Sequence, residues 1–443
     1  MAGSSERPLR RPRVAVMALG CRVNRADVDA LAAELGGAFE LAVGGEPADF
    51  VVVNTCSITS DAESAARQAI RRAAREHPGG QVVAAGCYAE LRPDELAALP
   101  SVAAVIGARR QGAVAGALAR LAARDRPGPE ADAGGWGCAP SAPARPTRPF
   151  LKVQDGCDQR CAYCVIPAAR GPSRSLAFDE ALRRLTKLGE RHPEVVLTGV
   201  HLGAFGRDLS PRRSLEELIR AAARARAVGR LRLSSVEPNE LPPAILRDPD
   251  VAGLLCPHFH LPLQSGAARV LAAMGRPYAP DLFRAVVEDV AAAMPGACLG
   301  TDVLVGFPGE TEEEHRATVA LVEALPLAYL HVFPFSPRSG TPASDLSGRV
   351  PGVAVRERTR ELLAVSDRKW RAFLAAQAGH EVEAVVERIG GGLARGTTRE
   401  WVTVRWPAAG EVRGAVVRVR VEASDATECI GVRASAFRSR LPP

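Results

Sequence analysis

Three cysteines stand close together in Cys157-Asp-Gln-Arg-Cys161-Ala-Tyr-Cys164, a C-x3-C-x2-C spacing that directly follows an apolar run at 150–153. Structural zinc sites are closed by four protein ligands, whereas three adjacent thiolates suit three corners of a cubane iron–sulfur cluster. One iron would then be open to coordinate a small molecule, and a reduced cluster could pass an electron into it. A zinc or redox-thiol loop is the competing reading of the spacing alone. Three further cysteines are dispersed but share a local setting: Cys21 in Leu-Gly-Cys, Cys56 in Asn-Thr-Cys and Cys87 in Ala-Gly-Cys. The other four, Cys138, Cys256, Cys298 and Cys429, follow no common pattern.

The elements around these residues must bring distant thiols together. Short apolar runs at 14–19, 50–53 and 81–85 alternate with amphipathic stretches at 25–35 and 61–75, a βαβ rhythm that predicts a parallel sheet. Loops at the carboxyl ends of such strands gather on one edge. Cys21, Cys56 and Cys87 each follow one of the three runs, so they can converge, and the glycines before Cys21 and Cys87 allow close backbone approach to a bulky inorganic ligand. Residues 122–148 are rich in Pro, Gly and Ala and read as a linker. Beyond it, candidate strands at 150–153, 195–198, 231–235, 258–263, 299–305 and 329–335 alternate with amphipathic helices, which predicts a complete or partial barrel with its chemistry at the carboxyl strand ends. After about residue 378 the pattern becomes β-rich, at 382–388, 401–406 and 415–421, with glycines 390, 391, 392 and 396 read as turns. Arginines 413, 418, 420 and 433 interleave there with valines, as in a small barrel with one buried and one basic face. Such a barrel fits RNA binding, and a solvated capping domain is the bland alternative.

The chain has 443 residues, 47% hydrophobic and 24% charged, with 57 basic residues against 50 acidic ones. These values fit a multidomain globular protein and exclude a disordered chain. No apolar run is long enough to span a bilayer, and the Arg-rich start has no apolar stretch before a cleavage site, so a cytoplasmic location is expected, with no membrane partner. A net charge of +7 is compatible with a polyanionic partner without requiring one.

The cysteine loop, with an aromatic residue before its last cysteine, resembles the radical S-adenosylmethionine superfamily. So do Leu197-Thr-Gly-Val-His-Leu-Gly, Ser234-Ser-Val-Glu-Pro, His260-Leu-Pro-Leu-Gln-Ser-Gly, Met274-Gly-Arg-Pro-Tyr, Gly300-Thr-Asp-Val-Leu-Val-Gly-Phe-Pro-Gly-Glu-Thr and Phe335-Ser-Pro-Arg-Ser-Gly-Thr-Pro-Ala. Combined with the dispersed cysteines, the chain resembles the methylthiotransferase family over nearly its whole length. The resemblance implies an α/β multidomain fold: a Rossmann-like cluster domain (1–121), a linker (122–148), a radical partial (β/α)6 barrel (149–377) and a TRAM-like β-barrel (378–443). It implies two [4Fe-4S] clusters, one on Cys157, Cys161 and Cys164 and one on Cys21, Cys56 and Cys87. S-adenosylmethionine would then act both as methyl donor and as source of a 5′-deoxyadenosyl radical. Contacts to that cofactor are implied for Tyr163, Thr198, Gly199, Ser235, Glu237, Gln264, Val305 and Gly306, and no catalytic residue beyond the cluster ligands.

Family branches act on isopentenyladenosine in tRNA, on threonylcarbamoyladenosine in tRNA, or on a ribosomal-protein aspartate. Leu19-Gly-Cys-Arg-Val-Asn and the stretch from Asn54 to Ala73, with its Arg-Gln-x-Ile-Arg-Arg, most resemble the threonylcarbamoyladenosine branch. The implied partners are a tRNA anticodon stem-loop, an electron donor and a sulfur donor. Arg67, Arg71, Arg72 and Arg75 recur at helical spacing and could face phosphate, as could Arg413 and Arg418 on the last domain. A non-catalytic iron–sulfur RNA-binding protein is the alternative from another class; it should make no 5′-deoxyadenosine.

Overall fold

A computed structural model describes residues 11–43, 45–123 and 147–434. The chain divides into two compact units, the first built on the residues before the linker together with Ala168–Gly171, the second on the remainder. The segment expected to be a linker lies mostly outside the described residues, and so does Cys138.

The first unit is a parallel sheet of β1 (Arg13–Ala18), β2 (Glu40–Leu41), β3 (Phe50–Thr55), β4 (Gln81–Gly86) and β5 (Val102–Gly107), in the order β2-β1-β3-β4-β5. Every residue of β3 is buried, as befits a central strand covered on both faces. Its alternation divides the core. Phe50 and Val52 join Val14, Leu31, Leu35 and Leu118 on one face, while Val51 and Val53 join Ile70, Val82 and Tyr88 on the other. The helix Ser60–Glu76 starts where the Thr59 side chain accepts from the Ala62 amide, and Asp61 and Glu63 occupy its positive first turn. The ladders pair Ala18 with Asn54 and Thr55 with Gly86, so the carboxyl ends of β1, β3 and β4 lie side by side.

In the second unit, β6 (Phe150–Asp155) pairs antiparallel with the short β7 (Arg174–Ser175) and parallel with β8 (Glu194–Gly199), which pairs with β9 (Arg230–Leu233). β10 (His258–His260), β11 (Cys298–Val305) and β12 (Tyr329–Pro334) form a second parallel sheet. Apart from the short β7, these are the six strands expected from sequence. The ladder breaks between β9 and β10, where Val236 N–H donating to His260 O spans the gap. The result is a partial barrel.

The last part of the chain is a closed barrel of β13 (Glu381–Gly390), β14 (Leu393–Thr398), β15 (Thr403–Pro407), β16 (Val416–Ser424) and β17 (Cys429–Arg433). Two of these strands, β14 and β17, were not expected. Gly396 corrects the turn reading, because it lies inside β14 with Val385 O of β13 only 2.5 Å from where a Cβ would stand. On β16, Val417, Val419 and Val421 are buried while Arg418 and Arg420 are exposed, as the alternation predicts. Arg413 sits instead in the turn before β16.

This β-barrel is anchored to the larger one through a buried arginine. Arg232 donates from Nε to Glu194 at 2.7 Å and from its two Nη atoms to the carbonyls of Arg399 and Thr398 at 3.0 Å each. The Trp401 ring lies under the Arg232 and Arg148 guanidinium groups and stacks on His258 at 5.0 Å. Burial alone would raise the Glu194 carboxyl, but Arg232 and the neighbouring Arg148 and Arg230 hold it below its ordinary value. Replacing Arg232 by Met leaves that carboxylate buried without its main partner, and the second unit should lose about 3–5 kcal/mol of stability in denaturant unfolding. Because the folded pKa is depressed, the wild-type contribution is complete above the unfolded carboxylate range and disappears as pH falls through the folded value; the acid unfolding limb should flatten in the variant.

Candidate functional site

Cys21 stands three residues after the end of β1 as the N-cap of the helix Arg22–Leu35, Cys56 directly follows β3, and Cys87 opens the short helix Cys87–Leu91 after β4. Burial raises the Cys56 and Cys87 thiols, with Cys21 adding to both shifts and Cys87 to that of Cys56. The backbone is shaped to let them approach. Gly20 has φ +84°, and a Cβ on it would fall 2.6 Å from Cys56 Sγ; Gly86 has φ +96°, with Asn54 Oδ1 2.2 Å from its would-be Cβ. Asn24 Nδ2 donates to Leu19 O at 2.8 Å and Thr55 O at 3.1 Å, tying the Cys21 and Cys56 loops together.

Arg170 belongs to this first unit although it follows the cysteine loop in sequence. It is buried, donating from Nε to Cys87 Sγ at 3.3 Å and from Nη2 to Asn24 Oδ1 at 2.6 Å and Asp27 Oδ2 at 2.9 Å. Burial pushes the Cys87 thiol up, and Arg170 opposes that. Burial likewise raises Cys56 to about 11. Such thiols become ligands only when a cation offsets the buried charge, so the donor set fits a metal cluster that displaces protons as it binds.

Cys157, Cys161 and Cys164 lie on the loop after β6. Burial raises Cys164 to about 12 and also raises Cys161, which Arg276 opposes by donating from Nη1 to its sulfur at 3.4 Å. Arg276 is itself ion-paired to Glu237. Cys157 Sγ is 3.7 Å from His201 Nδ1, and His201 Nε2 is 2.8 Å from Glu240. Burial would lower this imidazole, but the Cys157 sulfur and the Glu240 carboxylate raise it to about 9. Tyr163 packs among Leu304, Phe307 and Met274, fixing the loop. A cleft of about 570 Å³ runs beside it, lined by Asp158, Gln159, His201 and Glu240 among others.

The residues assigned to the cofactor occupy varied settings. Thr198, at the end of β8, keeps a buried hydroxyl with no hydrogen-bond partner. Gly199 approaches Gln154, whose Oε1 accepts from the His201 amide at 2.7 Å. Ser235 is exposed, whereas its neighbour Ser234 is buried with an orphaned hydroxyl beside Thr198's strand. Two adjacent unsatisfied hydroxyls suit a polar ligand such as S-adenosylmethionine. Gln264 adopts φ +69°, its amide donating to Asp302 O at 2.8 Å. Val305 is buried, and the Gly306 amide donates to Glu310 at 2.8 Å. His201, Ser234 and Arg276 stand in the motifs quoted above but carried no assigned role, and Arg170 had no sequence signal.

Of the arginines read as facing phosphate, Arg67 is half-buried and donates to the Tyr88 hydroxyl at 2.6 Å, while Arg71, Arg72 and Arg75 are exposed.

Partial barrel, three-cysteine loop and orphaned strand-end hydroxyls together define a radical S-adenosylmethionine enzyme, and comparisons agree. Residues 151–322 match the Radical SAM superfamily, and residues 13–107 match the uncharacterized protein family UPF0004. TsrM from Kitasatospora setae, a solved radical S-adenosylmethionine methyltransferase, aligns with a TM-score of 0.53 at 16% identity, covering 76% of this chain and 77% of that one, a likeness of fold alone. The threonylcarbamoyladenosine tRNA methylthiotransferase MtaB of Bacillus subtilis is 33% identical over 430 residues, 92% of this chain and 93% of that protein. The ribosomal protein uS12 methylthiotransferase RimO of Desulforudis audaxviator is also 33% identical, over 85% of each chain. The chain therefore belongs to the radical S-adenosylmethionine methylthiotransferases. Membership brings a [4Fe-4S] cluster and S-adenosylmethionine. Among the described residues, no helix is long and apolar enough to cross a membrane.

Gly86→Ala should force the backbone out of its left-handed conformation and against Asn54. We expect a loss of about 1–3 kcal/mol in thermal unfolding and less iron per chain after reconstitution, with 5′-deoxyadenosine formation retained.

Proposed function

We propose that this enzyme places a methylthio group on carbon 2 of N6-threonylcarbamoyladenosine at position 37 of tRNA, 3′ to the anticodon. A second [4Fe-4S] cluster on Cys21, Cys56 and Cys87 is part of this reading. The observation that carries it is the placement of Cys21, Cys56 and Cys87 after the neighbouring strands β1, β3 and β4, with Cys56 and Cys87 buried, in a chain that also holds the radical loop. The relatedness to the B. subtilis enzyme, over nearly the full length of both chains, favours the threonylcarbamoyl substrate.

When bound, the clusters and S-adenosylmethionine supply the one-electron chemistry, the methyl group and the sulfur, which an inert aromatic C–H bond requires. The chain's own residues bind and orient. Cys157, Cys161 and Cys164 hold one cluster, with His201 and Arg276 directed at two of their sulfurs. Tyr163, Thr198, Gly199, Glu237, Gln264, Val305 and Gly306 surround the cofactor, with Ser234 rather than the exposed Ser235 offering the buried hydroxyl. The exposed Arg71, Arg72, Arg75, Arg413 and Arg418 would meet phosphate. An external electron donor and a sulfur donor complete the cycle.

The test is anoxic reconstitution with iron and sulfide, then incubation with tRNA carrying threonylcarbamoyladenosine, tRNA carrying isopentenyladenosine, or the ribosomal-protein substrate. Methylthio incorporation is expected only in the first. Product solely in either of the others overturns the substrate assignment. Replacing Cys21, Cys56 and Cys87 together by Ala should leave 5′-deoxyadenosine formation within about twofold of wild type, remove roughly half the iron and abolish methylthio product. Unchanged iron content would overturn the second cluster.

A further inference from the structure

On the sheet β10-β11-β12 of the partial barrel, two imidazoles and a carboxylate converge. Asp302 of β11 lies opposite His331 of β12 in the ladder, and His260 of the adjoining β10 pairs with Gly300, two residues before Asp302. Alternation therefore turns all three side chains to one side of the sheet. His260 Nε2 is 2.8 Å and His331 Nδ1 3.3 Å from Asp302 Oδ1, and the three candidate ligand atoms lie within 4.8 Å of one another. Tetrahedral zinc with bonds of about 2.0–2.2 Å holds its ligand atoms roughly 3.3–3.5 Å apart, so small adjustments would open this triangle around one ion.

We propose that His260, Asp302 and His331 form a mononuclear site for a divalent transition metal. Two neutral imidazoles and one carboxylate suit zinc or ferrous iron better than calcium or magnesium, which prefer all-oxygen shells. The surroundings have the form of a prepared site. Metal-binding histidines commonly donate their second nitrogen to an oriented partner. His260 Nδ1 lies 3.2 Å from the Tyr329 hydroxyl, itself 3.0 Å from His258 Nε2. The His260 and His331 rings lie 4.9 Å apart at 30°, so both can direct a nitrogen at one point. His260 is buried, whereas the His331 side chain is 53% exposed, leaving a route of entry. Three protein ligands with an accessible side leave a coordination position for water or a substrate oxygen, unlike the closed four-ligand structural sites. The cysteines take no part, so the site is independent of the cluster count and of the substrate assigned above.

The test measures zinc bound to protein whose clusters have first been reconstituted, so that the cluster cysteines are occupied. Wild type, His331→Ala, Asp302→Asn and Tyr329→Phe are dialysed against a series of free zinc concentrations, and zinc, iron and sulfide are counted by mass spectrometry and colorimetry. Wild type should bind one zinc more than His331→Ala and Asp302→Asn once the extra site is saturated, and about half a zinc more at the concentration that half-saturates it. Tyr329→Phe should weaken it by about tenfold. Circular dichroism and iron content should stay at wild-type values, and Asp302→Asn, which keeps the side-chain shape, serves should His331→Ala lose iron. Equal zinc binding in wild type and Asp302→Asn overturns the proposal. So does a change confined to the KM for tRNA, which would make the three side chains substrate contacts instead.

Discussion

Buried negative charge on sulfur is the constraint around which this molecule is built. Burial pushes Cys56, Cys87, Cys161 and Cys164 toward the protonated thiol, the form that binds metal poorly. In each cysteine set the fold supplies partial compensation in the same way, through a buried arginine that reaches one sulfur and is held by a carboxylate behind it. Arg170 with Asp27 serves Cys87, and Arg276 with Glu237 serves Cys161. One guanidinium cannot balance three thiolates, so a bound cation would have to supply the remaining positive charge. Metal loading and proton release are thus tied together, and cluster assembly should be disfavoured as pH falls.

The same constraint accounts for how much of the site was legible in sequence. The six cysteines read as ligands lie just beyond strands, where the period of the pattern changes, so their place was readable. The six barrel strands were readable because their apolar runs are separated by amphipathic helices. The arginines that serve the sulfurs were not. Arg170 is one of 57 basic residues, and only the fold returns a stretch after the radical loop to the first unit. Ser234 and Ser235 are adjacent and identical in type, and both lie past the end of β9, so no sequence signal says that Ser234 is the buried one.

Strands β14 and β17 escaped notice for a different reason. β14 reads Leu-Ala-Arg-Gly-Thr-Thr, with a glycine whose missing side chain admits the neighbouring backbone, and β17 has only five residues. Neither carries a run of branched residues; their strand character comes from closing a barrel whose other members do. Once closed, that barrel presents Thr398, Arg399 and Trp401 to the larger one. Trp401, at φ +70°, is held between two guanidinium groups and an imidazole. A bulky residue in a left-handed conformation persists only where surrounding contacts fix it, and here these contacts are the attachment of one barrel to the other.

That attachment bears on the charge the last domain presents. Its arginines are numerous but interleaved with acids: Arg395 and Arg405 both reach Glu428, Arg418 lies 3.8 Å from Glu383, and Arg433 lies 3.6 Å from Glu411. Glu383 also binds Arg230 at 2.7 Å and Glu387 binds Arg148 at 2.6 Å, so two acids of the β-barrel are turned toward the larger barrel. A polyanion binding this surface must compete with those ion pairs, and its affinity would carry a shallower salt dependence than the count of arginines suggests, because fewer of them hold phosphate outright.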